Sequence, residues 1–195
     1  KEMQVHLFRH FAHQGKAGAF YGSTNLELKN KTHLVLTLKE GTKVFSSPLL
    51  RCTQSLDRLQ LKSELNLEDA KEVDFGYWEG LTYTEIEQKW PLEVKAWQED
   101  EDFYFPQGEK IKDFQKRIEH LAKFIATQKE DVFLMTHGGV IRHLICHCLG
   151  LSYDKSLAFQ VDTGSLSSIE LFSGGLGVLK ALNLKEVESW QALLS

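Results

Sequence analysis

No apolar run in this sequence of 195 residues approaches the ~20 needed to cross a bilayer. The opening stretch KEMQVHLF, Lys1 to Phe8, lacks the long apolar segment of a signal peptide, and a start without Met suggests a trimmed or processed end. Cysteine is scarce and odd in number: Cys52, Cys146 and Cys148 are expected to be reduced, buried thiols of a cytoplasmic protein, not a disulfide framework. The net charge of -4 argues against a general polyanion binder, so no nucleic-acid partner is expected and any phosphate chemistry must be local. Three prolines leave few breaks, and no repeat or low-complexity linker divides the chain. What is present is enough for a core: 42% hydrophobic and 11% aromatic residues. The length suits one domain over residues 1–195, with a lid around 83–110.

Strands are expected at Gln4–Phe8, Lys43–Ser46, Val132–Thr136, Ser167–Phe172 and Gly177–Leu182. The first three are short apolar runs, which suit strands buried on both faces of a largely parallel sheet. Helices alternate with them. In FSSPLLRCTQSLDRLQL, Ser47 can cap a helix and Pro48 can take its first position. KIKDFQKRIEHLAKFIATQ carries Phe114, Ile118, Leu121 and Ile125 on one face, and VIRHLICHCLG stops at Gly150, a suitable C-terminal glycine. HLVLTL, His33 to Leu38, looks locally like a strand, but parallel strands need a crossover of roughly a dozen residues, so Lys29–Lys39 is assigned to a crossover helix. Alternation of this kind implies an α/β fold with the sheet between helical layers.

Two strand ends carry a histidine. His10 follows Arg9 after VHLF, and His137 follows VFLMT and precedes Gly138 and Gly139. Open α/β sheets place ligands at the carboxyl ends of their strands, and a glycine-opened helix N-terminus attracts anions. Arg51 lies just past a third strand end. A lone strand-end His or Arg is ordinarily a satisfied polar residue; three ends each supplying a cationic or imidazole group describe a phosphoryl pocket, because Arg presents paired donors to phosphate oxygens. A proton source for the leaving oxygen is also needed. KEVDFGYWEG offers Glu72, Asp74 and Glu79, and spacing does not choose among them.

LFRH, SSPLLRCTQS, EVDFGYWEG and MTHGGVIR, in this order, resemble the histidine phosphatase (phosphoglycerate mutase-like) superfamily from about residue 5 to 182. The resemblance implies a three-layer sandwich, a mainly parallel sheet with helices on both faces. It implies His10 as a nucleophile that becomes phosphohistidine, Arg9, Arg51 and His137 as holders of the phosphoryl oxygens, and Glu72 as the general acid. Catalysis would need no metal and no cofactor. Gly138 and Lys16 would add substrate contacts, Lys16 standing where an asparagine is common. The usual Arg-His-Gly-Glu-Thr is here Arg9-His10-Phe11-Ala12-His13, and the segment from Leu28 to Ser46 is shorter than the family's first crossover, through a truncated helix or missing residues.

Within the superfamily, FYGSTNLEL, FPQGEKIKDFQKRI and AFQVDTGSLSSIEL resemble the α-ribazole phosphatases of cobalamin synthesis, with Lys110 where serine is frequent. The implied partner is a small-molecule phosphate ester, with no membrane, for a monomer or homodimer. A broad-specificity or mutase-like enzyme, and a phosphate-binding module without catalysis, are the alternatives. His143 and His147 have the spacing of a zinc pair, but Leu144 follows the first and no third ligand is evident, so they are read as exposed helical histidines. The acidic run at Gln98–Phe105 is expected to face solvent, and Trp90, Trp97, Phe103, Tyr104 and Phe105 to pack as the lid.

Overall fold

Along each central strand, side chains alternate between two separate cores. In β1 (Met3–Arg9) Val5 and Leu7 enter one core and Phe8 the other. In β4 (Val132–Thr136) Val132 and Leu134 join the first, Phe133 and Met135 the second. β2 (Lys43–Ser46) divides Phe45 from Val44 in the same way. A strand with two apolar faces must be covered on both, which is why these segments read as continuous apolar runs. The computed structural model describes residues 2–195 and shows the resulting α/β architecture, a sheet between two helical layers.

The six strands are ordered β3-β2-β4-β1-β5-β6, with β3 at Leu65–Asn66, β5 at Ser165–Leu171 and β6 at Gly177–Leu184. β3, β2, β4 and β1 are parallel neighbours, while β5 pairs antiparallel with β1 and β6 antiparallel with β5. One layer contains α4 (Ile111–Ala126) and α5 (Gly138–Leu149), whose Ile118, Leu121, Ile125, Val140 and Ile141 enter the first core. On the other side lie α1 (Leu50–Arg58) and α6 (Val187–Leu194), which bring Cys52, Leu56, Trp190 and Leu194 to the second. α2 (Tyr83–Lys89) and α3 (Pro91–Glu99) follow a pair of short 3₁₀ turns. In the segment after them Phe103 and Phe105 are buried beside Trp78 and Trp97, while Glu99 to Asp102 stay exposed.

Three expectations need correction. Residues 29–39 contain no helix. Leu34, Leu36 and Leu38 point inward while Val35, Thr37 and Lys39 are exposed, so the segment is an extended strip laid across the second core. Its backbone is satisfied from outside the sheet: Leu34 N–H donates to Arg58 O, Lys39 N–H to Leu194 O, and Thr37 N–H to Gln191 Oε1. The first turn of α1 also starts later than expected. Its N-cap is Leu49, Pro48 precedes it, and the only helix-start N–H that Ser47 Oγ accepts is that of Leu49, at 3.3 Å. Finally, His143 and His147 are partly buried: His143 Nδ1 meets Gly139 O and its ring packs between Phe114 and Tyr153, while His147 Nδ1 is 3.3 Å from Tyr153 Oη. Gly150 closes α5 in the left-handed region, at φ 69°, as its sequence position suggests.

Candidate active site

Register brings the two histidines together. Arg9 is opposite Thr136 in the parallel β1–β4 ladder, so the next residues, His10 and His137, leave the sheet side by side. His10 N–H donates to Thr136 O at 3.1 Å, and the imidazole centroids are 5.2 Å apart. On the far side of β4, Ser47 N–H donates to Met135 O, and the chain then turns into α1, which presents Arg51 in its first turn. From β5's side, Gly164 at φ 67° donates its N–H to both Arg9 O and His10 O. A side chain at that φ would be strained, and a Cβ would press on the Phe11 ring.

His10 is buried, and its Nδ1 lies 2.9 Å from Phe11 O. A carbonyl can only accept, so Nδ1 carries the proton and the lone pair sits on Nε2. Arg51 Nε–H donates to that Nε2 at 3.3 Å. Burial, then the positive charges of Arg51 and Arg9, hold the His10 pKa well below the usual value. The imidazole is therefore neutral at pH 7, with its electron pair on Nε2 beside the Arg51 guanidinium. Phe11 keeps only its carbonyl at the site. Its ring enters the second core against Phe8, with the Arg58 guanidinium 4.1 Å from its centroid.

His137 is also buried and kept neutral, by desolvation first and by Arg51 next. Its Nε2 is 2.8 Å from Ser47 Oγ and 3.5 Å from Cys52 Sγ. With the Ser47 hydroxyl donating to Nε2, the ring proton stands on Nδ1, which is buried without a partner. Arg9 donates from Nη1 to Val161 O at 2.6 Å, and its Nε–H is likewise buried and unpaired. An unsatisfied buried donor costs about 1–3 kcal/mol. The two here belong to neighbours of His10, Arg9 in the chain and His137 across the ladder, and a group that satisfies both N–H donors must be an acceptor. Gly138 leaves open the space where a Cβ would stand 3.1–3.2 Å from the guanidiniums of Arg142 and Arg9.

Of the three candidate carboxylates, Glu72 is the one at this edge. Its Oε2 accepts the Gly139 N–H at 2.9 Å and its Oε1 the Val73 N–H at 3.1 Å. Asp74 and Glu79 are occupied in bracing turns: Asp74 Oδ1 accepts from Gly76 N–H and Ser23 Oγ, and Glu79 from Gly22, Thr24 and Phe75 N–H. Lys16 is drawn elsewhere. Its ammonium pairs with Glu85 Oε1 at 2.5 Å on the surface and makes no hydrogen bond to Arg9, His10, Arg51, Glu72 or His137. Arg51 also clamps the loop after the nucleophile, donating from Nη1 to Thr24 O and from Nη2 to Gly22 O, both at 2.8 Å.

Several residues at the site were not singled out by sequence reasoning. Ser47 Oγ pairs with His137 Nε2, and Ser55 Oγ accepts the Phe11 N–H. Arg117 of α4 donates twice to the Glu109 carboxylate, at 2.8 and 3.0 Å, and also to the carbonyls of Asp69, Lys71 and Glu72. It thereby anchors the backbone that carries Glu72. Among the described residues no cluster of three or more His, Cys, Asp or Glu could hold a metal ion, and no helix is long and apolar enough to cross a membrane.

The family model described as the histidine phosphatase superfamily (branch 1) matches residues 6–185. Among curated proteins, the chain is 27% identical over 136 residues to phosphoserine phosphatase 1 of Hydrogenobacter thermophilus, covering 66% of this chain and 64% of that protein. The chain thus spans slightly less than two thirds of that relative. Among solved structures, a putative α-ribazole-5′-P phosphatase from Escherichia coli superposes with a TM-score of 0.81 at 22% identity, covering 94% of this chain and 97% of the other. The α-ribazole phosphatase from Shigella flexneri gives 0.76 at 24% identity, with 94% and 97% covered. At these identities the two structures establish a shared fold.

Proposed function

We propose, for a chain that belongs to the histidine phosphatase superfamily (branch 1), that it is a phosphomonoesterase working through a phosphohistidine at His10. The observation that carries this is the neutral His10 ring, its lone pair on Nε2, beside two residues, Arg9 and His137, that each hold a buried nitrogen without a partner. In the first step the Nε2–P bond forms as the P–O ester bond breaks. The electron pair goes to the ester oxygen, which takes a proton from the Glu72 carboxyl. Arg9 Nε–H and His137 Nδ1–H donate to the phosphoryl oxygens as their charge shifts in the transition state. In the second step water attacks phosphorus, Glu72 accepts its proton, and the pair returns to Nε2. His10 Nδ1–H keeps its bond to Phe11 O throughout, so the ring does not turn.

Positive charge that a metal would supply comes here from the guanidiniums of Arg9 and Arg51, and the neutral His137 ring adds an N–H donor. We take the substrate to be the 5′-phosphate of α-ribazole or its cobamide-linked form. The stretches at 20–28, 105–118 and 158–171 and the names of the two solved structures support that choice. A cover at 83–110 belongs to the same reading, supported by the seam where Phe20 packs on Trp97 and Lys16 meets Glu85. The test is a panel of α-ribazole phosphate, phosphoserine, phosphoglycerate and an aryl phosphate, with and without EDTA. Release of phosphate is expected from the aryl ester in both conditions, with the highest kcat/KM on α-ribazole phosphate. Preference for phosphoserine or phosphoglycerate overturns the substrate, loss in EDTA restored by metal overturns the metal-free chemistry, and no release from any ester leaves a binding module.

A further inference from the structure

The nucleophile loop carries a third imidazole. After β1 the chain pairs loosely with the 27–29 segment: His13 bridges Leu28, Gln14 N–H donates to Glu27 O, and Lys29 N–H donates to Ala12 O. This ribbon alternates, so Ala12 and Gln14 are exposed while Phe11, His13 and Gly15 turn inward. The His13 ring reaches 5.8 Å from the His10 ring, centroid to centroid, and rests edge-on against Tyr21 at 5.2 Å. Its Nδ1 accepts the Gly15 N–H at 3.1 Å. An acceptor nitrogen in a neutral imidazole is unprotonated, so the proton is on Nε2, to which no described residue is hydrogen-bonded.

We propose that His13 contacts the substrate directly, its Nε2–H donating to a phosphoryl oxygen of the group bound at His10. Three features support it. The Gly15 N–H fixes the tautomer, Tyr21 fixes the ring, and Gly15 is held to the same place because a Cβ there would collide with both rings. Burial, then Arg51, Arg9 and Lys29, push the His13 pKa down to about 4, so at neutral pH it is a neutral donor that adds no charge to an already cationic pocket. With Arg9 and His137 it completes three N–H donors around one acceptor group, enough for one on each non-bridging phosphoryl oxygen. Phe11 is spent in the core and Ala12 has no polar group, so His13 is the polar side chain this altered loop retains.

The inference rests on the phosphatase reading, and the test separates the two. Orthovanadate, a mimic of the pentacoordinate phosphoryl group, is titrated against the wild type, His13→Phe and His13→Asn, alongside aryl phosphate turnover. His13→Phe keeps a ring against Tyr21 without a donor, and His13→Asn keeps a donor. Vanadate affinity should fall roughly ten- to a hundredfold in His13→Phe, the worth of one hydrogen bond to a charged group, and be largely retained in His13→Asn. Histidine NMR of the wild type, which needs no variant to fold, should show the His13 Nε2 signal shifting on vanadate addition. Unchanged affinity in a folded His13→Phe, or an unmoved Nε2 signal, removes His13 from the contact while leaving the phosphatase reading intact. A wild type that neither binds vanadate nor turns over the ester overturns that reading itself.

Discussion

Gly139 shows how tightly single residues are matched at this edge. A Cβ there would run into Glu72 Oε1 and push away the carboxylate that the Gly139 N–H holds. Alanine is compatible with helical backbone, so Gly139→Ala should leave thermal stability nearly unchanged and act on Glu72 alone. Misplacing a general acid loses part of a contribution typically worth ~10²- to 10⁴-fold. Turnover of alkyl phosphates should therefore drop by at least about tenfold, and that of an aryl phosphate with a good leaving group less; equal activity on both would mean the Glu72 position is not critical. Phe11 illustrates the opposite case, a residue beside the nucleophile whose side chain serves packing. Phe11→Gly restores the more usual residue yet empties the space between Phe8 and Trp190. Large-to-small changes of this kind cost about 3–5 kcal/mol, so the melting temperature should fall by well over 5 °C, roughly. His10 would keep its carbonyl acceptor, so residual activity below the melting point should persist. An unaltered melting temperature would contradict the packing role.

Among the elements, those whose apolar pattern is complete within the segment were legible in the sequence. Lys43–Ser46 and Val132–Thr136 fall where expected because both faces are buried and Gly or charged residues bound them. The apolar pattern did not name β1 and β4 as neighbours; their parallel register is what brings His10 and His137 together. The 29–39 strip was not legible. Its Val and Thr residues signalled extended backbone correctly, but its partners are Arg58 on α1 and Gln191 and Leu194 on α6, distant in sequence. The rule that parallel strands are joined by a helix failed because this crossover is held by side-chain packing and scattered hydrogen bonds. Arg117 was invisible for a related reason: on α4 it looks like a solvent-facing charge, and only the tertiary fold reveals the carbonyls of 69–72 above it. Lys16 pairs with Glu85 of α2, a partner its place in the loop did not suggest.

For the whole molecule, burying neutral histidines links stability to pH. His6 is 4% exposed, bonded to Ser168 Oγ at 2.6 Å, and its pKa is pushed down to about 4, by desolvation first, with Asp131 opposing and Lys39 assisting. His10 and His137 shift the same way. Unfolded histidine takes up a proton near pH 6.5, while folded His6 does not until about pH 4. Between those values the unfolded chain binds more protons, so stability is complete above pH 6.5 and is lost as the pH falls. His6 alone should remove about 2 kcal/mol at pH 5. Urea unfolding at pH 8 and pH 5 should show a lower midpoint at pH 5 with a similar slope; an equal or higher midpoint at pH 5 would contradict the neutral burial of these rings.

Rapid-quench labelling with a phosphate ester carrying a labelled phosphoryl group reads the separate roles of His10 and Glu72 most directly. Wild type should form a transient, acid-labile phosphohistidine, and His10→Ala none, because the Nε2 that attacks phosphorus is gone. Glu72→Gln cannot give its proton to an alkoxide, so phosphorylation by an alkyl ester should slow by ~10²- to 10⁴-fold. With an aryl ester the first step should suffer less, and label should accumulate on His10 because water then lacks its base. Label in His10→Ala, or equal loss of the phosphorylation step on both ester types in Glu72→Gln, would contradict the assignment.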